Sequence, residues 1–357
     1  MGRVRRRGIS IGRGGADKGY GAVDEKTYPL KMVAWELTRN CNLDCIHCRA
    51  RAGAGPYDNE LTLEECVHII DDIAAFATPT IILTGGEPLL RKDIFNIIGH
   101  ATSKGLRTVI AVNGTLVDRA VAVRLKETGI LRVSMSIDGK DRATHDSFRR
   151  VSGAFDAVMQ AGRILREVGL PFQINTTVTR LNATDLAAIY GLVKGMGAVA
   201  WHTFLLVPVG RGEGLKGEEL NAAMYEDVLN WMYEREEEHE IEIKVTCAPH
   251  YYRIVTERGG TPKSAGCLAG KSFLFISHTG IAQPCGYLES PCGDIRKDGV
   301  RQVWEGSEQF ARIRDLRKYK GKCGRCRFLS ICGGCRARAQ ELKGDLLESE
   351  PYCSYGA

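Results

Sequence analysis

Between Met32 and Glu236 one pattern recurs six times: a short, nearly all-apolar run followed by a stretch with helical spacing. The runs are Met32–Leu37, Thr80–Leu83, Arg107–Val112, Leu131–Ser136, Phe172–Thr179 and Ala198–Leu206. The helical stretches lie near Leu61–Phe76, Ile94–Ser103, Asp118–Thr128, Ala154–Val168, Asp185–Met196 and Ala222–Glu236. Runs that do not alternate are buried on both faces. Strand–helix repeats at intervals of roughly 25–40 residues predict a parallel sheet with helices outside. In the first helix Thr62 and Glu65 form a capping-box pattern. Leu63, Ile69, Ile70 and Ile73 recur at helical spacing, which makes Cys66 a small core residue.

This alternation gathers the polar motifs. Cys41–Cys48, Gly85-Gly86-Glu87-Pro88, Asn113 and Ser136–Gly139 each follow one of the first four strands. They therefore meet at the carboxyl edge of the sheet, where such folds keep their active sites. Cys41, Cys45 and Cys48 are spaced CxxxCxxC and supply three thiols. A closed zinc site needs a fourth ligand. His47 is available, but a residue inside a two-residue spacer usually points away from the metal. A [4Fe–4S] cube held by three thiolates instead leaves one iron open to a small molecule.

The other cysteines extend the argument. Of thirteen, nine fall between Cys247 and Cys353. No apolar h-region follows the basic start, so the chain reads as cytoplasmic, where thiols stay reduced and clusters of them mean metal. No apolar run reaches the ~18–20 residues that cross a bilayer. The net charge of +6 owes much to Arg3, Arg5, Arg6, Arg7 and Arg13 in a tail expected to be disordered over 1–30. No basic face in the body suggests nucleic acid. The stretch EREEEHEIE (residues 234–242) reads as solvated. Beyond about residue 245 cysteine, glycine and short elements dominate, which predicts a domain of 31–245 and a second of 246–357.

The CxxxCxxC loop followed by Gly85-Gly86-Glu87-Pro88 resembles the radical S-adenosylmethionine (SAM) enzymes, with His47 where an aromatic ring is commoner. The resemblance implies an α/β fold, a partial (β/α)6 barrel. It also implies that Cys41, Cys45 and Cys48 hold a cluster whose free iron binds SAM. Gly85, Gly86, Glu87, Pro88, Asn113, Ser136 and Arg149 are then SAM-contacting candidates. The carboxyl-terminal cysteines resemble the SPASM extension, which carries up to two auxiliary [4Fe–4S] clusters, three in all. That likeness assigns Cys323, Cys326, Cys332 and Cys353 to one auxiliary cluster. Cys267, Cys285 and Cys335 go to the other, with Cys292 (or Cys247) as fourth ligand.

The stretches Thr246–Arg253, Gly266–Gly270, Phe275–His278 and Gln283–Tyr287 resemble the haem synthases of the siroheme-dependent pathway. Those enzymes use two SAM to convert two propionates of Fe-coproporphyrin III to vinyl groups, losing CO₂. An iron-porphyrin substrate, and a small electron-transfer protein or other reductant as partner, follow from that likeness. A planar ring rimmed by carboxylates wants an apolar slot with a few cations and hydroxyls. His202, Arg211, His250, Tyr251, Tyr252 and Arg253 have that chemistry, and His250 or His278 is a candidate ligand for the porphyrin iron. Three alternatives are the sister enzyme acting on didecarboxysiroheme, a SPASM peptide maturase, and a non-catalytic metal scaffold. About 30 residues precede the first strand, too few for a maturase's peptide-binding domain, and a scaffold needs no open iron.

Overall fold

The computed structural model describes residues 28–264 and 266–356. The tail expected over 1–30 lies, up to residue 27, outside them. Seven strands follow one another in a parallel sheet: β1 (Met32–Glu36), β2 (Thr80–Thr84), β3 (Arg107–Ala111), β4 (Val133–Ser136), β5 (Phe172–Val178), β6 (Ala200–Leu205) and β7 (Glu242–Thr246). β8 (Phe273–Ile276) pairs in parallel with β1, and β9 (Ile281–Gln283) and β10 (Gly293–Asp294) add an antiparallel edge. Strands from beyond residue 245 therefore extend the sheet on the β1 side.

The helices α1 (Leu63–Phe76), α2 (Ile94–Ser103), α3 (Arg119–Glu127), α4 (Arg142–Arg149), α5 (Ala154–Val168), α6 (Leu186–Gly195), α7 (Ala222–Glu237) and α8 (Tyr251–Glu257) complete the repeats. Thr62 caps α1 through the reciprocal box with Glu65. Its stripe Cys66, Ile69, Ile70 and Ile73 is buried against the sheet. At ~1.5–3 kcal/mol per large apolar side chain, stripes like this hold the helices in place.

Two elements that position the site were not legible. Helix α4 buries only His145, Phe148 and Arg149, with too few apolar positions to show periodicity, and forms through the capping box of Asp141 and Thr144. β7 follows the charged stretch directly. Only Ile243 and Val245 are buried in it, so an alternating edge strand hides behind a run of charge.

Candidate active site

The loop Cys41–Cys48 leaves β1 and is fixed by backbone from its neighbours. The Gly86 and Glu87 amides donate to the carbonyls of Thr38 (2.7 Å) and Asn40 (2.8 Å). A Cβ on Gly85 would lie 2.4 Å from the Thr38 carbonyl oxygen, and one on Gly86 2.4 Å from that of Asn40. The close approach that these glycines permit is therefore to the cysteine loop itself. The Ile46 amide donates to Phe148 at the end of α4 (2.9 Å). Behind the loop, Arg211 donates to the carbonyls of Cys45 and Ala52, both at 2.8 Å.

Glu87 is fully buried, and its two oxygens accept from the amides of Leu89 (3.0 Å) and Asn113 (2.6 Å). Burial raises its pKa to about 7, against the pull of those two amides. Its carboxyl group thus ties the turn after β2 to the end of β3, and its backbone carbonyl accepts from the Leu90 amide at 3.1 Å. Asn113 carries the link on, donating to Asn42 of the cysteine loop at 2.7 Å.

Arg149 is buried beside Cys45, with its Nη1 3.5 Å from the sulfur, and pairs with Asp138. Asp138, fully buried, also accepts from the Thr177 amide at 2.7 Å and lies 3.8 Å from His47. Burial would raise its pKa, but Arg149 and then His47 hold it below the usual carboxylate range. The His47 ring packs on Phe148, with centroids 5.8 Å apart, and burial lowers its pKa to about 4. Asp138 organises this corner, yet in the sequence it is one more polar residue after a strand. Ser136 ends β4 and is in register with Asn175, His202 and Lys244 across β5, β6 and β7. Residues in register share a face, so this row lines one side of the sheet.

The carboxyl-terminal cysteines fall into sets. Cys323, Cys326, Cys332 and Cys353 line one small cavity. Backbone amides are aimed at three of these sulfurs: Phe328 at Cys326 (3.4 Å), Gly334 at Cys332 (3.4 Å) and Glu350 at Cys323 (3.3 Å). The Leu43 amide points at Cys41 in the same way (3.4 Å). Amide donors suit thiolates that hold an iron–sulfur cube, whose charge they offset. A second set joins Cys247 to Cys335 by a thiol hydrogen bond, with Cys285 beside Cys335 and Cys267. Cys292 is elsewhere: it donates to the Ser290 carbonyl (3.4 Å) and has Ser307 and Arg314 for neighbours. Among the described residues no three His, Cys, Asp or Glu side chains meet closely enough to share a single ion.

Between the sets runs a buried ion pair that sequence reasoning missed. Glu350 accepts from the Cys335 amide (2.8 Å) and pairs with Arg338 (3.2 Å), both fully buried. Arg338 also donates to the carbonyl of Cys247 at 2.9 Å.

The six substrate candidates separate into four places. Arg211 clamps the cysteine loop. His250 and Arg253 line the cavity of Cys323 and its partners. His202 faces the row of Ser136, and Tyr251 and Tyr252 line a larger cavity beside β7. His278 is bonded to Glu36 at 2.9 Å.

Fold, three-thiol loop and glycine turn together define a radical SAM protein. The model of the Radical SAM superfamily matches residues 35–193, and that of the SPASM iron–sulfur cluster-binding domain matches 267–327. The chain is 48% identical over 338 residues to an "AdoMet-dependent heme synthase" of Nitratidesulfovibrio vulgaris, covering 91% of this chain and 92% of the relative. It is 30% identical over 348 residues to the "Fe-coproporphyrin III synthase" of Methanosarcina barkeri, covering 90% and 87%. SAM-bound SuiB of Streptococcus suis shares the fold, with a TM-score of 0.74 at 17% identity over 92% of this chain and 78% of that one. The chain belongs to the SAM-dependent haem synthase family of radical SAM proteins, and it uses SAM and iron–sulfur clusters. Among the described residues no helix is long and apolar enough to cross a membrane.

Proposed function

We propose that the chain is a haem synthase, which oxidatively decarboxylates two propionates of Fe-coproporphyrin III to vinyl groups. The similarity to a haem synthase along almost the whole chain, 48% against 30% for the sister enzyme, carries this reading. In each turnover a hydrogen atom leaves the propionate β-carbon and one electron follows. The bond to the carboxylate then breaks, and CO₂ departs.

When bound, SAM and its cluster supply the radical that takes the hydrogen atom, and auxiliary clusters supply a one-electron acceptor. Cys41, Cys45 and Cys48 hold the first cluster. Cys323, Cys326, Cys332 and Cys353 hold one auxiliary cluster, and Cys267, Cys285 and Cys335 the other. Cys247 is its fourth ligand in place of Cys292, because only Cys247 lies with Cys335 and Cys285. Asp138 fixes Arg149 beside Cys45, so its guanidinium would be available to the carboxylate of a SAM bound there. Glu87 and Asn113 hold the loop's far side by backbone and amide bonds. A small electron-transfer protein or other reductant serves as electron donor.

Anaerobic incubation with SAM, a reductant and Fe-coproporphyrin III should give haem, seen by mass as loss of two carboxyl groups. Turnover of didecarboxysiroheme instead would overturn the reading and point to the sister activity. Reconstituted protein should hold about twelve irons, at four per cube.

A further inference from the structure

The loop Cys41–Cys48 and one of the carboxyl-terminal cysteine sets meet at Arg49. This residue follows Cys48 directly in the chain, and its guanidinium packs against Gly286, which follows Cys285. A Cβ on Gly286 would lie 3.0 Å from the Arg49 Nε. The guanidinium also stands over the Phe275 ring, 4.5 Å from its centroid. Tyr287, the next residue along, has Cys247, Arg49, Cys285 and Cys48 as its charged neighbours.

The Arg49 side chain is only 19% exposed, and among the described residues its one ion pair is to Glu36 at 2.9 Å. Glu36 ends β1 and is fully buried. It also takes Arg39 (3.0 Å) and His278 (2.9 Å), so one carboxylate serves two guanidiniums and an imidazole. Burial would raise the pKa of Glu36, but Arg49, His278 and Arg39 together lower it to about 2. Glu60 is taken by the Thr38 hydroxyl and the Arg39 amide. Among the described residues the Arg49 guanidinium makes no hydrogen bond besides the one to Glu36, and the Tyr287 hydroxyl makes none. A desolvated cation with donors to spare is costly unless an anion comes to it.

Strand direction and register say where this group stands. β1 and β8 are parallel, so Glu36 at the end of β1 and His278 just after β8 lie at the same carboxyl edge as Cys41–Cys48. Glu36 and Ala34 share a face of β1, and Ala34 pairs with Phe275. The opposite face carries Val33, Trp35, Leu274 and Ile276 into the core shared with the helices, so Arg49 stands on the inner side of the sheet. A substrate that gives up a hydrogen atom beside the loop, and then an electron to an auxiliary cluster, must lie where the two cysteine sets face each other. We propose that Arg49 binds a propionate carboxylate of the tetrapyrrole there, with the Tyr287 hydroxyl as a second donor. Glu36 fixes part of the planar fork, and the remaining donors meet the incoming carboxylate. This inference rests on the haem-synthase reading for its ligand, and it adds the place and the residues.

The test is an anaerobic absorbance titration of the reconstituted protein with Fe-coproporphyrin III, following the Soret band. Arg49→Met should weaken binding at least tenfold, or about 1.4 kcal/mol. Arg49→Lys should recover part of the loss, and Lys343→Met on the exposed surface should change nothing. If Arg49→Met binds as the unaltered protein does, the site is wrong, even where haem is still formed. An unaltered titration with a shifted midpoint potential of the first cluster would assign Arg49 to that cluster instead. If the protein binds and turns over didecarboxysiroheme with the same dependence on Arg49, the site stands and the haem-synthase reading falls. Should Arg49→Met lose its melting transition, Tyr287→Phe serves instead. The site then predicts at least threefold weaker binding, and an unaltered titration overturns it.

Discussion

The two cysteine regions are built in opposite ways. The loop Cys41–Cys48 is an ornament on a finished scaffold. Its backbone is tied to the turn after β2, to the end of α4 and to Arg211 after β6, and the sheet beneath has a continuous apolar core. The carboxyl-terminal cysteines are tied to the sheet through Arg338, which donates to the carbonyls of Leu205, Leu206 and Cys247, but they rest on a smaller apolar core. The apolar cluster around Cys335 is small, with Val207, Ile313, Tyr319 and Leu346 among its larger members. What crosses it is polar, the Glu350–Arg338 pair and amides aimed at sulfur. The contrast predicts that one region folds and then accepts iron, whereas for the other metal binding supplies folding free energy.

The largest effect follows from that contrast. Protein prepared without iron should keep its barrel, while backbone amides of residues 285–353 exchange hydrogen orders of magnitude faster than in reconstituted protein. Equal protection in both preparations would erase the distinction. The converse change is Cys45→Ala. It should abolish reductive SAM cleavage and lower iron from about twelve to about eight per chain, with protection of the carboxyl-terminal region unchanged.

A smaller effect tests the polar core. Removing the carboxylate in Glu350→Ala leaves Arg338 buried without a counter-charge, a change that costs about 3–5 kcal/mol. Thermal unfolding of the carboxyl-terminal region should shift by that amount, whereas the double variant Glu350→Ala/Arg338→Met should recover much of it. If the single variant unfolds with the parent, the pair is not what joins the two cysteine sets.

The same contrast explains what was legible in the sequence. Strands β1–β6 and their helices announce themselves because burial on both sides leaves nearly continuous apolar runs. The cysteine loop and the glycine turn are visible because their chemistry lies in residue type and spacing. Contacts between distant segments are not. Asp138 pairs with Arg149 only because α4 folds back over the loop. Glu350 and Arg338 read as ordinary charges until packing buries them. β8 cannot be placed beside β1 from local pattern, since about 240 residues separate the partners Met32 and Phe273. Side-chain chemistry marks the substrate candidates, and chemistry does not distinguish a cation that meets a ligand from Arg211, which fixes a loop.

The smallest expected effect concerns two cysteines that look alike in the sequence. Cys292 follows Cys285 closely and for that reason stands as the nearer candidate, whereas Cys247 lies at the end of β7, far along the chain. Space reverses the order. Cys247 adopts a positive φ of 62° and shares a hydrogen bond with Cys335, while Cys292 donates to the Ser290 carbonyl. A hydroxyl serves that last role as well as a thiol does. Cys292→Ser should therefore leave iron near twelve per chain and shift stability by less than about 1 kcal/mol. Cys247→Ser should lower iron toward eight and remove the electron paramagnetic resonance signal of one auxiliary cluster. The opposite pattern would return the fourth ligand to Cys292 and require the loop after β9 to move toward Cys335 when iron binds.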